Sequence, residues 1–518
     1  MSKILRSVLA IGLVFSSRIP ASWASDNNPP TEPSHVTATV KIDPNARKQS
    51  IAPSFLGLSM VLSETKYAVG TSTASNPYFK RLLQNFLVYG NGPLELRELN
   101  DKAFTASTTS DDLPALSNLY KEMQALGQGV RYFVGVDFSG NFDAHGNESG
   151  MAATEAETIF RSLPQGSLLS YEIGNEPDLY NQSGLRTGYT YPQFKREYEK
   201  TAAAIEAKKT GVPMAAPVFS GYPGGFMKNL DDFISSESAH LGMLDLHNYG
   251  GSHCNGRVNP EDYLLSDDAV NMPGSPIRPT PANVSGYIRA LNRAGRSNFR
   301  IGEMNSIACG GQDGVSNTFQ SALWFLDEAM SFASAGVSGI NLFTIESSNA
   351  YYTPFRFSHT GSFPSPQYAI AQINPIYYGV LTTAEMLQSR AALIPVTLST
   401  SRRIKAYATV DEQGVVRVLL INKEEGRSGD GSVALHLAEH RDAVISALRA
   451  TNDDYRVSDY THYTADDRIT LAGQTFKVAG GAQDGILHGA PEHTTVHPRD
   501  GVYLVSLPHS SAAIVEIR

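Results

Sequence analysis

Two glutamates belong to apolar segments that have the pattern of β-strands. Glu176 comes after Leu168–Ile173 and directly before Pro177, which lacks an N–H and should end the strand there. Glu303 lies in a second such segment, Asn298–Met304. Retaining hydrolysis of a glycosidic bond requires one protonated and one ionised carboxyl group, about 5–5.5 Å apart. We therefore predict Glu176 as a general acid/base and Glu303 as a nucleophile, with a strand-end or helix-cap role as the alternative for each.

Four further polar residues lie beside these glutamates or at the end of another strand. Asn175 is expected to hydrogen-bond a substrate hydroxyl next to the reacting carbon. His247 and Tyr249 end a third apolar segment, where either could hydrogen-bond the nucleophile and keep it ionised. A capped strand end with a core aromatic ring is the alternative for that pair. Asn305 is expected to orient Glu303, to contact sugar or to form a turn.

The elements that must position these residues alternate regularly along the chain. Short apolar segments and longer amphipathic ones follow each other, as in repeated βα units. They predict a (β/α)8 barrel over residues 51–375, in which strands four and seven carry the two glutamates to opposite sides of the mouth. Glu172 and Asp245 are expected inside this barrel. The predicted strands are Phe55–Met60, Leu94–Leu99, Val130–Phe138, Leu168–Ile173, Pro213–Phe219, Gly242–Asn248, Asn298–Met304 and Gly339–Ile345, and the predicted helices are Pro77–Val88, Leu113–Leu126, Gly150–Ser162, Tyr191–Lys208, Phe226–Ser235, Thr280–Arg293 and Thr318–Ala335.

The pattern changes after the predicted barrel. A helix is expected at Tyr377–Leu387, and alternating segments separated by turn residues follow it to the end of the chain. They predict a β-sandwich domain over residues 376–518. The alternating segment Val36–Ile42 precedes the barrel, so residues 36–50 are expected to supply a strand that joins the sandwich.

The composition of the chain limits its partners. Of its 518 residues 41% are hydrophobic, and 42 basic against 51 acidic residues give a formal net charge of -9. This balance excludes non-specific binding of nucleic acid, which needs clustered Lys and Arg, and it disfavours a long polyanionic substrate. The 13 His residues show no metal-site spacing. We expect no metal and no cofactor, no membrane association and a monomer.

The N-terminus has the pattern of an export signal. Lys3 and Arg6 precede the short apolar stretch Val8–Phe15, and Ser22–Ala24 forms a small-x-small cleavage site. We predict a signal peptide at residues 1–24, a disordered leader at residues 25–35, and a secreted or periplasmic protein. An irregular start to a mature cytosolic chain is the alternative.

The chain has two cysteines, Cys254 and Cys309. In an exported protein an isolated pair suggests one disulfide, which here would join the loops after strands six and seven. Two free buried thiols are the alternative, and metal ligation is disfavoured because no Cys-x-x-Cys is present.

The motifs around these residues resemble those of a known family. Asn175-Glu176-Pro177 with Glu303 is similar to the clan A retaining glycosidases, and the stretches 172–178, 245–249 and 301–311 resemble glycoside hydrolase family 79. That family contains β-glucuronidases and heparanases. The resemblance implies a (β/α)8 barrel with a β-sandwich built from both chain ends, with Glu176 as acid/base and Glu303 as nucleophile.

One loop departs from the family pattern. Members often have a Gly-Gly-Asn-like turn after the second strand, where this chain reads Leu96-Arg-Glu-Leu-Asn-Asp101. Asn100 and Asp101 are candidate sugar contacts, while Arg97 and Glu98 make the segment unusual. Candidate donors to a uronate carboxylate follow strand eight, with a core or rim role as the alternative. They are Tyr351 and Tyr352.

Four functions remain open at this point. The first is an exo-acting β-glucuronidase that releases terminal glucuronic acid or its 4-O-methyl form from a glycan or a small glucuronide. The others are an endo-acting, heparanase-like enzyme with a basic cleft, another clan A glycosidase, and a non-catalytic carbohydrate-binding protein. The acidic net charge of -9 favours the first over the second.

Overall fold

The computed structural model describes residues 36–518 except 128, 144, 347–349, 439, 459–467 and 478–482. The predicted signal peptide and leader lie outside the described residues. Within these residues, no helix combines the length and the apolarity needed to cross a bilayer.

Two short strands, β1 and β2, precede the barrel. The described chain then contributes eight parallel strands to a closed barrel, in which the last strand, Gly339–Phe343, pairs with the first, Leu56–Val61. This confirms the predicted (β/α)8 architecture. The strands so far are β1 (Ala38–Ile42), β2 (Gln49–Ser50), β3 (Leu56–Val61), β4 (Leu94–Leu99), β5 (Val130–Val136), β6 (Leu168–Ile173), β7 (Met214–Phe219), β8 (Leu241–Ser252), β9 (Phe299–Ala308) and β10 (Gly339–Phe343).

Helices cover the outside of the barrel and begin and end where local chemistry dictates. The Asn76 side chain accepts hydrogen bonds from the backbone N–H groups of Tyr78 and Phe79, which caps the helix that Pro77 begins. The long helix before Gly336 ends there because that glycine adopts a left-handed φ of 91°. The helices are α1 (Thr65–Ala68), α2 (Pro77–Leu87), α3 (Leu113–Ala125), α4 (Met151–Ser162), α5 (Tyr191–Glu206), α6 (Leu230–Glu237), α7 (Asp268–Asn271), α8 (Val284–Arg293), α9 (Gln320–Ala335) and α10 (Pro375–Met386).

Two features between the eighth strand and the sandwich differ from the prediction. A hairpin of β11 (Phe355–Thr360) and β12 (Gln367–Ile373), which the sequence pattern did not indicate, follows β10. Helix α10, which the predicted boundary assigned to the sandwich domain, packs on the barrel, since the Tyr377 hydroxyl donates to the Leu82 carbonyl of α2 at 2.9 Å. It therefore takes the place of the eighth barrel helix.

The remaining strands form the predicted sandwich. One sheet has the order β14-β1-β17-β21, and the other has the order β19-β18-β22-β16-β15-β13-β2 with β20 paired to β18. Their facing sides bury one core, to which β1 contributes Val40 beside Val418 and Val515. The N-terminal strand thus joins the sandwich as predicted. The strands are β13 (Ala392–Ile394), β14 (Val396–Thr400), β15 (Ile404–Val410), β16 (Val416–Asn422), β17 (Gly431–His436), β18 (Ala443–Ala450), β19 (Ile469–Leu471), β20 (Thr494–Val496), β21 (Val502–Leu507) and β22 (Ser511–Ile517).

A buried ion pair connects the barrel to the sandwich. Lys423, directly after β16, places its Nζ 2.8 Å from Oδ2 of Asp327 in α9, and both side chains are buried. The Tyr407 hydroxyl donates to the other oxygen of Asp327 at 2.5 Å. Burial raises the pKa of Asp327, but the charges of Lys423 and Lys405 outweigh it and hold that pKa below its ordinary value.

We predict that Lys423→Met destabilises the protein by about 3–5 kcal/mol, because it leaves the Asp327 charge buried without its partner. The midpoint of chemical denaturation measures this effect. Lys195→Met is the matched control, since the Lys195–Asp232 pair is more exposed, does not include Asp327, and is expected to contribute about 0–1 kcal/mol. Equal, small effects of both variants would contradict the prediction.

Candidate active site

The carboxyl ends of β6, β8 and β9 bring the predicted site residues together at the barrel mouth. Strands β8 and β9 extend to Ser252 and Ala308, further than predicted. Their register places His247 opposite Glu303. Glu176 follows β6, as the Pro177 signal predicts.

Glu176 is held by its backbone and by one side-chain partner. It adopts a left-handed φ of 48° directly before the short 3-10 helix Pro177–Leu179, and its N–H donates to the Val218 carbonyl at 3.0 Å. Its Oε1 lies 3.0 Å from Nδ1 of His247, and its side chain is 24% exposed. Burial raises the pKa of Glu176 to about 7, although the nearby Arg97 charge lowers it. This carboxyl group therefore retains its proton into the neutral range.

Glu303 has a different environment. The Tyr249 hydroxyl donates to its Oε1 at 2.6 Å, and Nη1 of Arg97 donates to its Oε2 at 2.6 Å. Both contacts stabilise an ionised carboxylate. His247 lies 4.0 Å from the same Oε2, and burial lowers the pKa of His247 to about 4 against the opposing effect of Glu303. The histidine is therefore neutral near pH 7, and Arg97 supplies the positive charge beside Glu303.

Arg97 is the site residue whose role the sequence analysis missed. The predicted strand Leu94–Leu99 already contained Arg97 and Glu98, but Arg97 was noted only as an unusual residue before the following turn; in the structure its side chain points into the barrel. Nε and Nη2 donate to the two oxygens of Glu172 at 2.5 and 2.7 Å, and Nη2 also donates to Oδ1 of Asn175 at 2.8 Å. The signal was the alternation of β4, which places Arg97 and Glu95 on the same strand face.

Glu172 and Asp245 lie fully buried inside the barrel, as predicted. Asp245 accepts a hydrogen bond from the Gly302 N–H at 2.9 Å. Burial and the charge of Glu172 raise the pKa of Asp245 well above its ordinary value. A Cβ atom at residue 302 would lie 2.0 Å from Oδ1 of Asp245, so the residue before Glu303 must be glycine.

Asn100 and Asp101, the candidate sugar contacts after β4, form hydrogen bonds with other groups of the protein. The Asn100 side chain donates to the Lys102 carbonyl at 2.8 Å. The Asp101 carboxylate accepts hydrogen bonds from the N–H groups of Phe138 and Ser139 and from the Tyr180 hydroxyl. Asp101 thus ties the loop after β4 to the loops after the next two barrel strands.

Asn305 and the two tyrosines after β10 differ in exposure. Asn305 is fully buried and donates to the carbonyls of Phe343 and Tyr352 at 2.8 and 3.2 Å. The Tyr352 ring packs 6.1 Å from the Tyr249 ring. Tyr351 is 40% exposed. Tyr352, held by Asn305, is therefore the tyrosine of this pair that lies next to Glu303.

Cys254 and Cys309 form a disulfide, with Cα atoms 5.2 Å apart. The bond joins the segments that follow β8 and β9, which carry His247, Tyr249 and Glu303. The predicted disulfide is thus confirmed.

Glu176, His247 and Glu303 each offer one ligand atom, and these atoms lie within 4.8 Å of one another. The cluster has the donors for a cation. The Arg97 guanidinium, however, already neutralises Glu303. The geometry is also that of two carboxyl groups on opposite sides of one short gap.

Comparisons with known proteins agree with this architecture. The glycosyl hydrolase family 79 C-terminal beta domain matches residues 406–514. A β-glucuronidase from Aspergillus niger is 24% identical over 462 residues, with 81% of each chain covered. A β-glucuronidase from Neurospora crassa is 22% identical over 457 residues, with 76% of this chain and 77% of that protein covered.

Solved structures share the fold. A 4-O-α-L-rhamnosyl-β-D-glucuronidase from Fusarium oxysporum superposes with a TM-score of 0.70 at 16% identity, covering 92% of this chain and all of that one. A family 51 arabinofuranosidase from Xanthomonas axonopodis superposes with a TM-score of 0.61 at 11% identity, covering 93% of this chain and 100% of that one.

The barrel, the sandwich and the paired carboxyl groups define a glycoside hydrolase of the (β/α)8 class. Together with the match of the C-terminal domain to family 79 and the similarity to two β-glucuronidases, they support an O-glycoside hydrolase that resembles β-glucuronidases.

We predict that stability falls between about pH 4.5 and pH 7 in part because of Glu176. In the folded protein the pKa of Glu176 is raised from 4.5 to about 7, so over this interval the folded state keeps a proton that the unfolded chain has lost. Glu176→Gln should therefore make the denaturation midpoint fall less from pH 5 to pH 8.

Glu157→Gln is the control for this experiment. The pKa of Glu157 is lowered by Lys208 and Arg161, so this group does not titrate between pH 5 and pH 8. An unchanged pH dependence in Glu176→Gln would show that its carboxyl group is not held protonated.

Proposed function

We propose that this enzyme is an exo-acting, retaining β-glucuronidase that removes terminal glucuronic acid, or its 4-O-methyl form, by double displacement. One observation carries the proposal: oxygens of Glu176 and Glu303, on opposite barrel strands, lie within 4.8 Å of each other. This limit favours a retaining enzyme, in which the carboxyl groups lie about 5–5.5 Å apart, over an inverting enzyme, in which they lie about 6.5–9.5 Å apart to admit a water.

The environments of the two carboxyl groups support distinct roles. Glu176, with a pKa of about 7, donates its proton to the glycosidic oxygen as the bond breaks. Glu303, ionised by its contacts with Arg97 and Tyr249, attacks the anomeric carbon and forms a glycosyl-enzyme ester. Glu176, now a carboxylate, takes a proton from the water that cleaves this ester. This sequence requires no metal or cofactor.

Arg97 and His247 assist these steps by positioning. Arg97 donates to Glu303 and fixes its position. Arg97 also donates to Oδ1 of Asn175, which orients the Asn175 amide so that its nitrogen can donate to a sugar hydroxyl next to the reacting carbon. Neutral His247 lies 3.0 Å from Glu176 and fixes the orientation of the acid. Because His247 is uncharged near pH 7, no imidazolium charge beside Glu176 lowers the pKa of the acid.

The substrate assignment is based on the similar proteins, on Tyr352 at the barrel mouth and on the net charge of the chain. Both curated relatives are β-glucuronidases. The buried Tyr352 lies beside Tyr249, and we assign its hydroxyl to the sugar, with the uronate carboxylate as the favoured acceptor. The net charge of -9 favours a terminal unit over a long polyanion. We also propose export by the segment at residues 1–24.

We predict that Glu303→Gln lowers kcat at least about 10³-fold on every substrate, because the nucleophile is lost. Glu176→Gln should remain most active on 4-nitrophenyl β-glucuronide, whose leaving group needs little protonation, and lose most on alkyl glucuronides. Initial rates on methyl β-glucuronide and 4-nitrophenyl β-glucuronide measure both effects, and rates on 4-nitrophenyl glucoside, xyloside, galactoside and α-arabinofuranoside measure the sugar preference.

Several outcomes would contradict parts of the proposal. Turnover of a neutral glycoside without any glucuronide turnover would exclude the uronate assignment and keep the two glutamates. A first product with inverted anomeric configuration, read by proton NMR, would exclude the retaining mechanism. Activity only on internal bonds of a polymer would replace exo by endo action.

We predict that Arg97→Met lowers kcat about 10²-fold or more, since Glu303 loses one of its two donors. It should also shift the alkaline limb of kcat/KM above about pH 7, because the Arg97 charge lowers the pKa of Glu176. Arg186→Met, which removes a different Arg–Glu pair, is the control and should leave that limb in place. A rate loss without the pH shift would show that the Arg97 charge does not act on Glu176.

A further inference from the structure

Exposed aromatic side chains of the described residues concentrate at the barrel mouth. Four of them are at least one-third exposed: Phe160, Tyr222, Tyr351 and Phe363. The last three lie on loops that follow barrel strands, and only Phe160 lies on an outer helix, α4. Exposed apolar surface that gathers at one place marks a binding surface more often than scattered residues do.

Phe363 belongs to a cluster with two further rings. We call this set of Tyr67, His359 and Phe363 the rim cluster. Their ring centroids are 5.8 Å (Tyr67–His359), 5.8 Å (Tyr67–Phe363) and 4.8 Å (His359–Phe363) apart. The Lys66 ammonium lies 5.1 Å from the Tyr67 centroid and 5.7 Å from that of Phe363. The cluster thus joins helix α1, after β3, to the hairpin β11–β12, after β10.

The hairpin that carries the cluster is held in place. The Thr73 hydroxyl donates to the Pro364 carbonyl at the hairpin tip at 3.1 Å. The Tyr368 hydroxyl donates to the Lys66 carbonyl at 2.6 Å. Because both hydrogen bonds tie the hairpin to the loop after β3, the Phe363 ring is presented at a fixed position while it remains 36% exposed.

The rim cluster lies near the residues that pack at the active site. Tyr352, whose ring packs against Tyr249, belongs to a small apolar cluster that also contacts Val61, the last residue of β3. Helix α1 begins four residues further along the chain. Glu64 directly precedes α1, and its carboxylate accepts a hydrogen bond from the Glu346 N–H at 2.9 Å, which ties the segment after β3 to the segment after β10.

We propose that the rim cluster is a binding platform for the sugar rings on the aglycone side of a glycan substrate. The proposal rests on the proposed function, in which a terminal glucuronic acid fills the barrel mouth. The rest of the glycan must then leave along the rim. Aromatic rings offer flat apolar surface that packs against the C–H face of a pyranose, and Phe363 and Tyr67 are placed to do so.

The test compares one glycan and one small substrate in two variants of Phe363. The glycan is the best-cleaved member of a set of tetrasaccharides that end in β-linked glucuronic acid and differ in that linkage, and the small substrate is 4-nitrophenyl β-glucuronide. Phe363→Ala should lower kcat/KM for the tetrasaccharide about 5- to 10-fold relative to the aryl glucuronide, through KM. Phe363→Trp should retain the wild-type ratio. Phe160→Ala, which removes a ring that is 45% exposed on the outer helix α4, should change neither value.

The other outcomes would contradict either the binding platform or the proposed function. An unchanged ratio in Phe363→Ala, or an equal loss on both substrates, would overturn the platform and leave the proposed function intact. Turnover of the aryl glucuronide without any tetrasaccharide turnover would do the same. Absence of all glucuronide turnover in the wild-type enzyme would refute the proposed function itself.

Discussion

The buried guanidinium of Arg97 is the interaction on which the active site depends. It lies inside the barrel without exposure to solvent, and an isolated charge there would be strongly unfavourable. Glu172 and Glu303 compensate it, and their charges hold the pKa of Arg97 above its ordinary value although burial lowers it. The same contact that compensates the buried arginine therefore also fixes the position of Glu303. Barrel stability and catalytic geometry share one ion pair.

The position of Arg97 explains why the two glutamates at the barrel mouth have different electrostatic environments. Glu303 accepts from Arg97 and Tyr249, so its charge is stabilised. Glu176 faces the neutral His247 and feels Arg97 only at longer range, so burial dominates and raises its pKa to about 7. Because the difference comes from fixed neighbours, the free protein already holds one carboxyl group with a raised pKa beside one that accepts from a guanidinium, the pair that the proposed double displacement would use.

The rest of the structure keeps these groups in register. The disulfide Cys254–Cys309 joins the segments after β8 and β9, which supply three of the side chains at the site. Helix α9 is buried between the barrel and the sandwich, where Asp327 pairs with Lys423. The sandwich thus contributes to the stability of the barrel. On the other side of the mouth, the hairpin β11–β12 adds a wall that carries exposed rings.

Local patterns in the sequence determined the fold class, the strand and helix order, and the positions of Glu176, Glu303 and the disulfide pair. They could do so because strand alternation, helical periodicity and a strand-ending Asn-Glu-Pro each act within a few neighbouring residues. The role of Arg97 was decided only by the tertiary structure, since its partners Glu172 and Glu303 lie 75 and 206 residues away. In the same way, Asp101 and Asn305 are engaged by backbone groups of distant loops. Barrel closure creates these contacts, and no local periodicity encodes them.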